Sequence, residues 1–132
     1  MSKEMPTIYR LTFAVHLIVA VVIGALLLII PMTFGTWFGY PKVVALTPVV
    51  RSFGALLLGF GGLTSFYARR ATAWSSVDYI VRGEFLYLVL QTLVFLISAL
   101  TGTGPALGNW VFTVVSAVLA ALFAATWVNR PA

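Results

Sequence analysis

Cysteine is absent from this 132-residue chain, histidine occurs once, and only 8% of the residues are charged. Each shortage removes a class of protein. Without cysteine there are no disulfide staples, no thiolate zinc sites and no thiol nucleophile. One histidine excludes a two-histidine haem site within a single chain. A soluble domain is roughly a quarter charged, and small domains have the most surface to solvate per residue. The charge content therefore excludes a soluble globule, and a hydrophobic fraction of 61% excludes a disordered tail. No phosphate loop, dinucleotide-binding glycine motif, HExxH metal motif or GxSxG nucleophile elbow occurs.

What the chain has instead is apolar length. Four runs stand out, at residues 11–31, 48–67, 77–100 and 107–128. Each reaches the roughly 20 residues that a helix needs to cross about 30 Å of hydrocarbon. The runs are continuously apolar rather than alternating, so they read as helices and not as barrel strands. The expected fold class is all-α: one integral membrane domain over residues 1–132, a four-helix bundle running antiparallel, up-down-up-down. Residues 32–47 form the longest connection. Trp37, Phe38 and Tyr40 make it too aromatic for a free loop, and it is expected to lie in the interface. Thr101 to Ala106 reads Thr-Gly-Thr-Gly-Pro-Ala, a tight reversal. The first run has a basic front in Lys3 and Arg10, as a secretory leader does. It is too long for a leader core, however, and no small-x-small site follows at Ile30-Pro31-Met32. It is expected to be a retained helix.

The basic residues fix an orientation. With four spans, Lys3, Arg10, Arg69, Arg70, Arg82 and Arg130 share one side, against Lys42 and Arg51 on the other. The positive-inside rule places both termini in the cytoplasm, and a prokaryotic inner (plasma) membrane is the expected location. The net charge of +5 is thus a topology signal. It is not a nucleic-acid footprint, because no basic stripe is interleaved with aromatics. Arg69 and Arg70 suit anionic head groups, and Arg51 can snorkel to the opposite interface. The four tryptophans fall near the span ends, as an aromatic belt does.

Small residues recur at four-residue spacing in the fourth run, as Ser116, Ala120 and Ala124, and the second run has a similar row in Ala55, Gly59 and Gly62. Such faces let helix backbones approach closely. They are expected to pack within the bundle, against a second copy or against other membrane subunits.

The polar residues concentrate in the third run. Asp78 and Arg82 are four apart and form a structural ion pair at head-group level. Glu84, Gln91 and Ser98 lie on one stripe, with Tyr87 one turn from Gln91. Such a stripe should face protein or a cavity rather than lipid. Counting 1.5 Å per residue from the cytoplasmic ends, His16 lies about 8 Å deep and Glu84 about 10 Å. The two can therefore meet. A carboxylate on one ring nitrogen would orient the imidazole and leave the other for a proton, a ligand or the axial position of a pigment metal. The plain alternative is a hydrogen-bonded structural histidine. No dedicated metal site and no particular cofactor is indicated.

Three functional readings follow. The leading one is a small accessory or structural subunit of a membrane complex, supported by size, small-residue faces and missing catalytic motifs. The second is an oligomeric transporter or channel component with a polar cavity around His16, Glu84, Tyr87 and Gln91. The third is a small membrane enzyme of isomerase or hydratase type, with His16 and Glu84 as its acid–base pair.

Overall fold

The structure is a computed structural model and describes residues 5–130. Lys3, part of the expected charge bias, lies outside that range. The chain is all-helical with several long apolar helices: α1 (Thr7–Ile29), α2 (Pro31–Trp37), α3 (Val44–Ala68), α4 (Asp78–Thr101) and α5 (Ala106–Val128). The helix count is five rather than the expected four. Four of the helices are long and apolar enough to cross a membrane, by length and composition. The fifth, α2, occupies the first part of the aromatic connection that was expected to lie in the interface.

Local chemistry explains these boundaries. Ile30 precedes a proline, which disfavours the α conformation in the residue before it. Its φ of −127° and ψ of 50° end α1 there. Pro31 then starts α2, where its missing N–H costs nothing. α1 also begins ahead of the apolar run, directly after Pro6, because its first turn carries Tyr9 and Arg10. α3 changes character along its length, from a 3-10 turn at Val44–Leu46 to a π-helical stretch over Leu57–Leu63. That stretch reads Leu-Leu-Gly-Phe-Gly-Gly-Leu, and its glycines hold the regular α path only weakly. α4 stops at Gly102, whose φ of +70° suits glycine and turns the chain towards α5.

The helices associate as two pairs. α1 and α3 touch backbone to backbone. A Cβ built on Gly54 would lie 2.7 Å from the Gly24 carbonyl oxygen and 2.7 Å from the Leu28 nitrogen. α4 and α5 pack along one another after the glycine turn. The pairs meet through α1 and α5. Phe13 and Phe123 pack edge-to-face with centroids 5.3 Å apart. Beside them, the Thr126 hydroxyl donates to Thr12 Oγ1 over 2.8 Å, while within the first pair Tyr9 donates to the Ala68 carbonyl of α3. Among the described residues, α3 and α4 do not form a packed pair.

At the other end, the connection folds down onto the start of α5. The Gly108 amide donates to the Phe38 carbonyl, and the Tyr40 hydroxyl donates to Asn109 Oδ1. Burial pushes the Tyr40 phenol above its ordinary value of 10.0. Phe112 packs against both Phe38 and Phe95.

The row on α5 turns inward, with Ser116 and Ala120 buried, whereas the row on α3 does not present a single face. Gly62 is buried against Val21, and Ala120 is buried inside the bundle. Ala55 and Gly59 are exposed, and Ala124 is half-buried. The closest approach of α1 and α3 uses Gly54 instead of that row.

Candidate functional site

A cavity of about 440 Å³ lies between the two helix pairs. Each long helix lines it with one stripe at three- to four-residue spacing, as an amphipathic face does. α1 supplies His16, Val19, Ile23 and Leu27; α3 supplies Val50, Phe53 and Leu57. α4 supplies Tyr87, Gln91 and Phe95; α5 supplies Phe112, Val115 and Leu119. From His16 to Leu27 the wall runs about 16 Å along α1. Phe34, Tyr40 and Pro41 close the far end. The wall is weakest where α3 and α4 fail to pack, so the cavity has a lateral seam.

His16 marks the polar end. It is 3% exposed, and a polar side chain buried that deeply needs partners. Its Nδ1 shares a 2.8 Å hydrogen bond with Ser65 Oγ on α3. Its Nε2 lies 3.6 Å from Glu84 Oε2 on α4. That separation is an electrostatic contact rather than a hydrogen bond. The Phe123 ring packs edge-on against the imidazole at 5.2 Å. One histidine thus ties α1, α3 and α4 together. Nδ1 is committed to Ser65, while Nε2 makes no hydrogen bond among the described residues. Among the described residues, no group of three or more His, Asp or Glu side chains is placed to hold a metal ion.

The residues singled out from the sequence separate into three groups. His16, Tyr87 and Gln91 line the cavity, and Glu84 stands behind them against His16. The Tyr87 hydroxyl is buried and has no hydrogen-bond partner among the described residues. Asp78 and Arg82 are paired at 2.7 Å, and Trp74 Nε1 also donates to Asp78. The third group lies away from the cavity. Ser98 donates to the Val94 carbonyl of its own helix, Arg70 stacks over Phe66, and Arg51 is exposed.

Ser65 is the partner that sequence reasoning missed. It sits one turn beyond Gly61, whose missing side chain lets α3 approach Ala20 and His16. That inward glycine was the available signal. A serine bonded to a histidine that also faces an acid has the composition of a hydrolytic triad. Here the serine is fully buried and absent from the cavity wall. Its bond to Nδ1 fixes the orientation of the imidazole.

Comparison with protein-family models, with curated proteins and with solved structures finds no match. The site is therefore argued from its own residues.

Proposed function

We propose that this chain is an integral membrane protein that holds an apolar small molecule within the bilayer. Its four long helices cross up-down-up-down with both ends cytoplasmic, and the ligand reaches the cavity laterally between α3 and α4. The observation that carries this reading is the cavity itself. Its volume of about 440 Å³ lies in the range of small-molecule sites. It is almost wholly apolar, with a short polar stretch at one end, the pattern by which pockets bind with one part and orient with another. A purely structural subunit has no need of such a space.

Two experiments test the reading. The chain contains no cysteine, so single cysteines introduced at Ser76 and Thr103 report topology without background. A membrane-impermeant thiol reagent should label Ser76→Cys only from the cytoplasmic side and Thr103→Cys only from the opposite side. Labelling of both from one side would overturn the arrangement. Protein purified in mild detergent should carry an extractable apolar compound near one per chain, and Val50→Trp, which fills the cavity, should lose it. Equal amounts in both proteins would refute the binding site.

The accessory-subunit reading has one specific support. α4 buries only Val81 and Leu88, which leaves a long apolar flank for another helix. Co-purification of a second membrane protein, lost when that flank is altered, is its test.

A further inference from the structure

α4 is joined to the α1–α3 pair at one polar point. Among the described residues, the single polar side-chain contact from α4 to α1 or α3 is Glu84 Oε2 against His16 Nε2, at 3.6 Å. The other polar bond that α4 makes to a long helix, Thr92 to Ser116 over 2.9 Å, goes to α5. His16 is in turn fixed to α3 through Ser65. Ser65, His16 and Glu84 thus form a chain of three side chains from α3 across α1 to α4. The chain crosses the end of the cavity nearest the 69–77 connection. Beyond it, towards α2, α3 and α4 do not pack. Glu84 also lies on the stripe that carries Tyr87, Leu88 and Gln91 into the cavity wall. A displacement of α4 at Glu84 therefore moves that wall and widens the seam.

The strength of this contact depends on protons. At 3.6 Å it is too long for a hydrogen bond and acts through charge. The two side chains are 4% and 14% exposed, and an unpaired charge so well buried is strongly unfavourable. With one proton between them the groups are neutral overall, as imidazole and carboxylic acid or as imidazolium and carboxylate. A second proton leaves an imidazolium beside an uncharged acid. Nothing around the pair offsets that charge. α3 presents the Ser65 hydroxyl and Gly61, and α5 presents the Phe123 ring. α4 adds the Tyr87 phenol one turn along its stripe. On α1 itself Thr12, one turn back, is bonded to Thr126. Arg10 and Arg82, the nearest charged residues on these helices, are exposed and cationic, so neither supplies a counter-charge. A conformer that lets the imidazolium reach water binds the second proton better, so acid shifts the population towards it.

We infer that His16 and Glu84 form a proton-sensitive latch on the lateral seam. It is closed while the two share one proton and opened by a second, with α4 and α5 swinging as a unit about the Phe13–Phe123 contact. This rests on the lateral-entry reading above and adds its control.

Pulsed electron spin resonance on the whole protein in lipid nanodiscs tests the latch, since the chain has no cysteine of its own. One label pair, Leu56→Cys with Leu93→Cys, spans the seam at exposed positions. A second, Leu93→Cys with Val118→Cys, reports on α4 and α5. From about pH 8 to about pH 5, the range in which an imidazole ordinarily titrates, the seam distance should widen by about 2 Å or more, the scale of a helix shift. The α4–α5 distance should not change. Glu84→Gln, which keeps the shape and removes the acid, should give one seam distance at both pH values. His16→Gln carries the same expectation and serves if Glu84→Gln does not fold. The latch is overturned if the seam distance of the parent ignores pH, or if either folded variant responds as the parent does. It is equally overturned if both label pairs widen alike, which marks general loosening. The cavity reading is judged separately, by the compound retained in Val50→Trp, so the failure of one is distinguishable from the failure of the other.

Discussion

α1 and α4 are nearly equal in length and α1 is the more apolar, yet α1 is the buried helix and α4 the exposed one. α1 buries Tyr9, Thr12, Phe13, His16, Ala20 and Gly24, and it packs against α2, α3 and α5. α4 buries only Val81 and Leu88 and packs along a single neighbour, α5. The difference lies in where small and hydrogen-bonding side chains fall, since the more apolar helix is the central one. α1 carries small and hydrogen-bonding residues on the faces that meet α3 and α5. On α4 the one glycine, Gly83, faces open space instead of a neighbouring helix. Where lipid removes the hydrophobic drive between helices, close approach and hydrogen bonds decide which helix becomes central. The cavity follows from the same asymmetry, because α4 offers α3 no small-residue face to close against.

The strongest way to break this comparison is at the α1–α3 backbone contact. Gly54→Val places methyl groups where the Gly24 carbonyl and the Leu28 amide already sit. The helices must separate, at a cost above about 3 kcal/mol. The expected outcome is loss of folded protein on size-exclusion chromatography in detergent, and recovery of a normal peak would show that α1 is not held this way. Next in size is Phe123→Ala. It empties a fully buried site against Phe13 and His16 and should cost about 3 kcal/mol in unfolding by denaturing detergent.

The same contrast explains how much was readable in advance. The four long helices were legible because a run of some 20 apolar residues has few other uses. α2 was not. It is a single short helix started by Pro31, and seven residues of mixed aromatic and small character carry no periodic signal. The approach of His16 to Glu84 followed from depth alone, since α1 and α4 were counted from the same side. Ser65 did not follow, because α3 was counted from the other side. Its register against α1 is set by the Gly24–Gly54 contact, a tertiary fact. The cavity was legible only as a polar stripe on α4. A space between α3 and α4 is a property of two helices that fail to meet, and neither sequence records it.

Smaller effects sharpen the comparison further. Ser65→Ala strands the His16 Nδ1 inside the bundle and should cost about 1–2 kcal/mol. Ser98→Ala, which removes only a bond to its own helix on α4, should cost less than about 0.5 kcal/mol. Equal losses would show that the two helices do not differ in polar dependence. At the connection, Tyr40 favours its neutral form in the folded state. Its contribution is therefore complete below pH 10.0, the ordinary value, and is lost as the pH rises through the higher folded value. Tyr40→Phe should flatten that alkaline part of the stability curve and leave the neutral region shifted by little more than one hydrogen bond to Asn109.

The smallest expected effect is on the free flank of α4. Ile97 is 58% exposed, and Leu93 and Val94 flank it with comparable exposure. Ile97→Ala removes no contact with another helix and leaves no internal void, so unfolding in detergent should change by less than about 0.5 kcal/mol. Phe123→Ala and Ile97→Ala both delete apolar atoms, and on a soluble protein's scale both would be judged by area. On the proposed embedding only the first loses packing, because lipid or detergent covers the second before and after substitution. If Ile97→Ala is silent in detergent but lowers the amount of protein in its own membrane, the flank is covered there by something better fitted than lipid. That result would move α4 from a lipid-facing helix to an interface. The exposed row of Leu93, Val94 and Ile97 would then be the place to cross-link a partner.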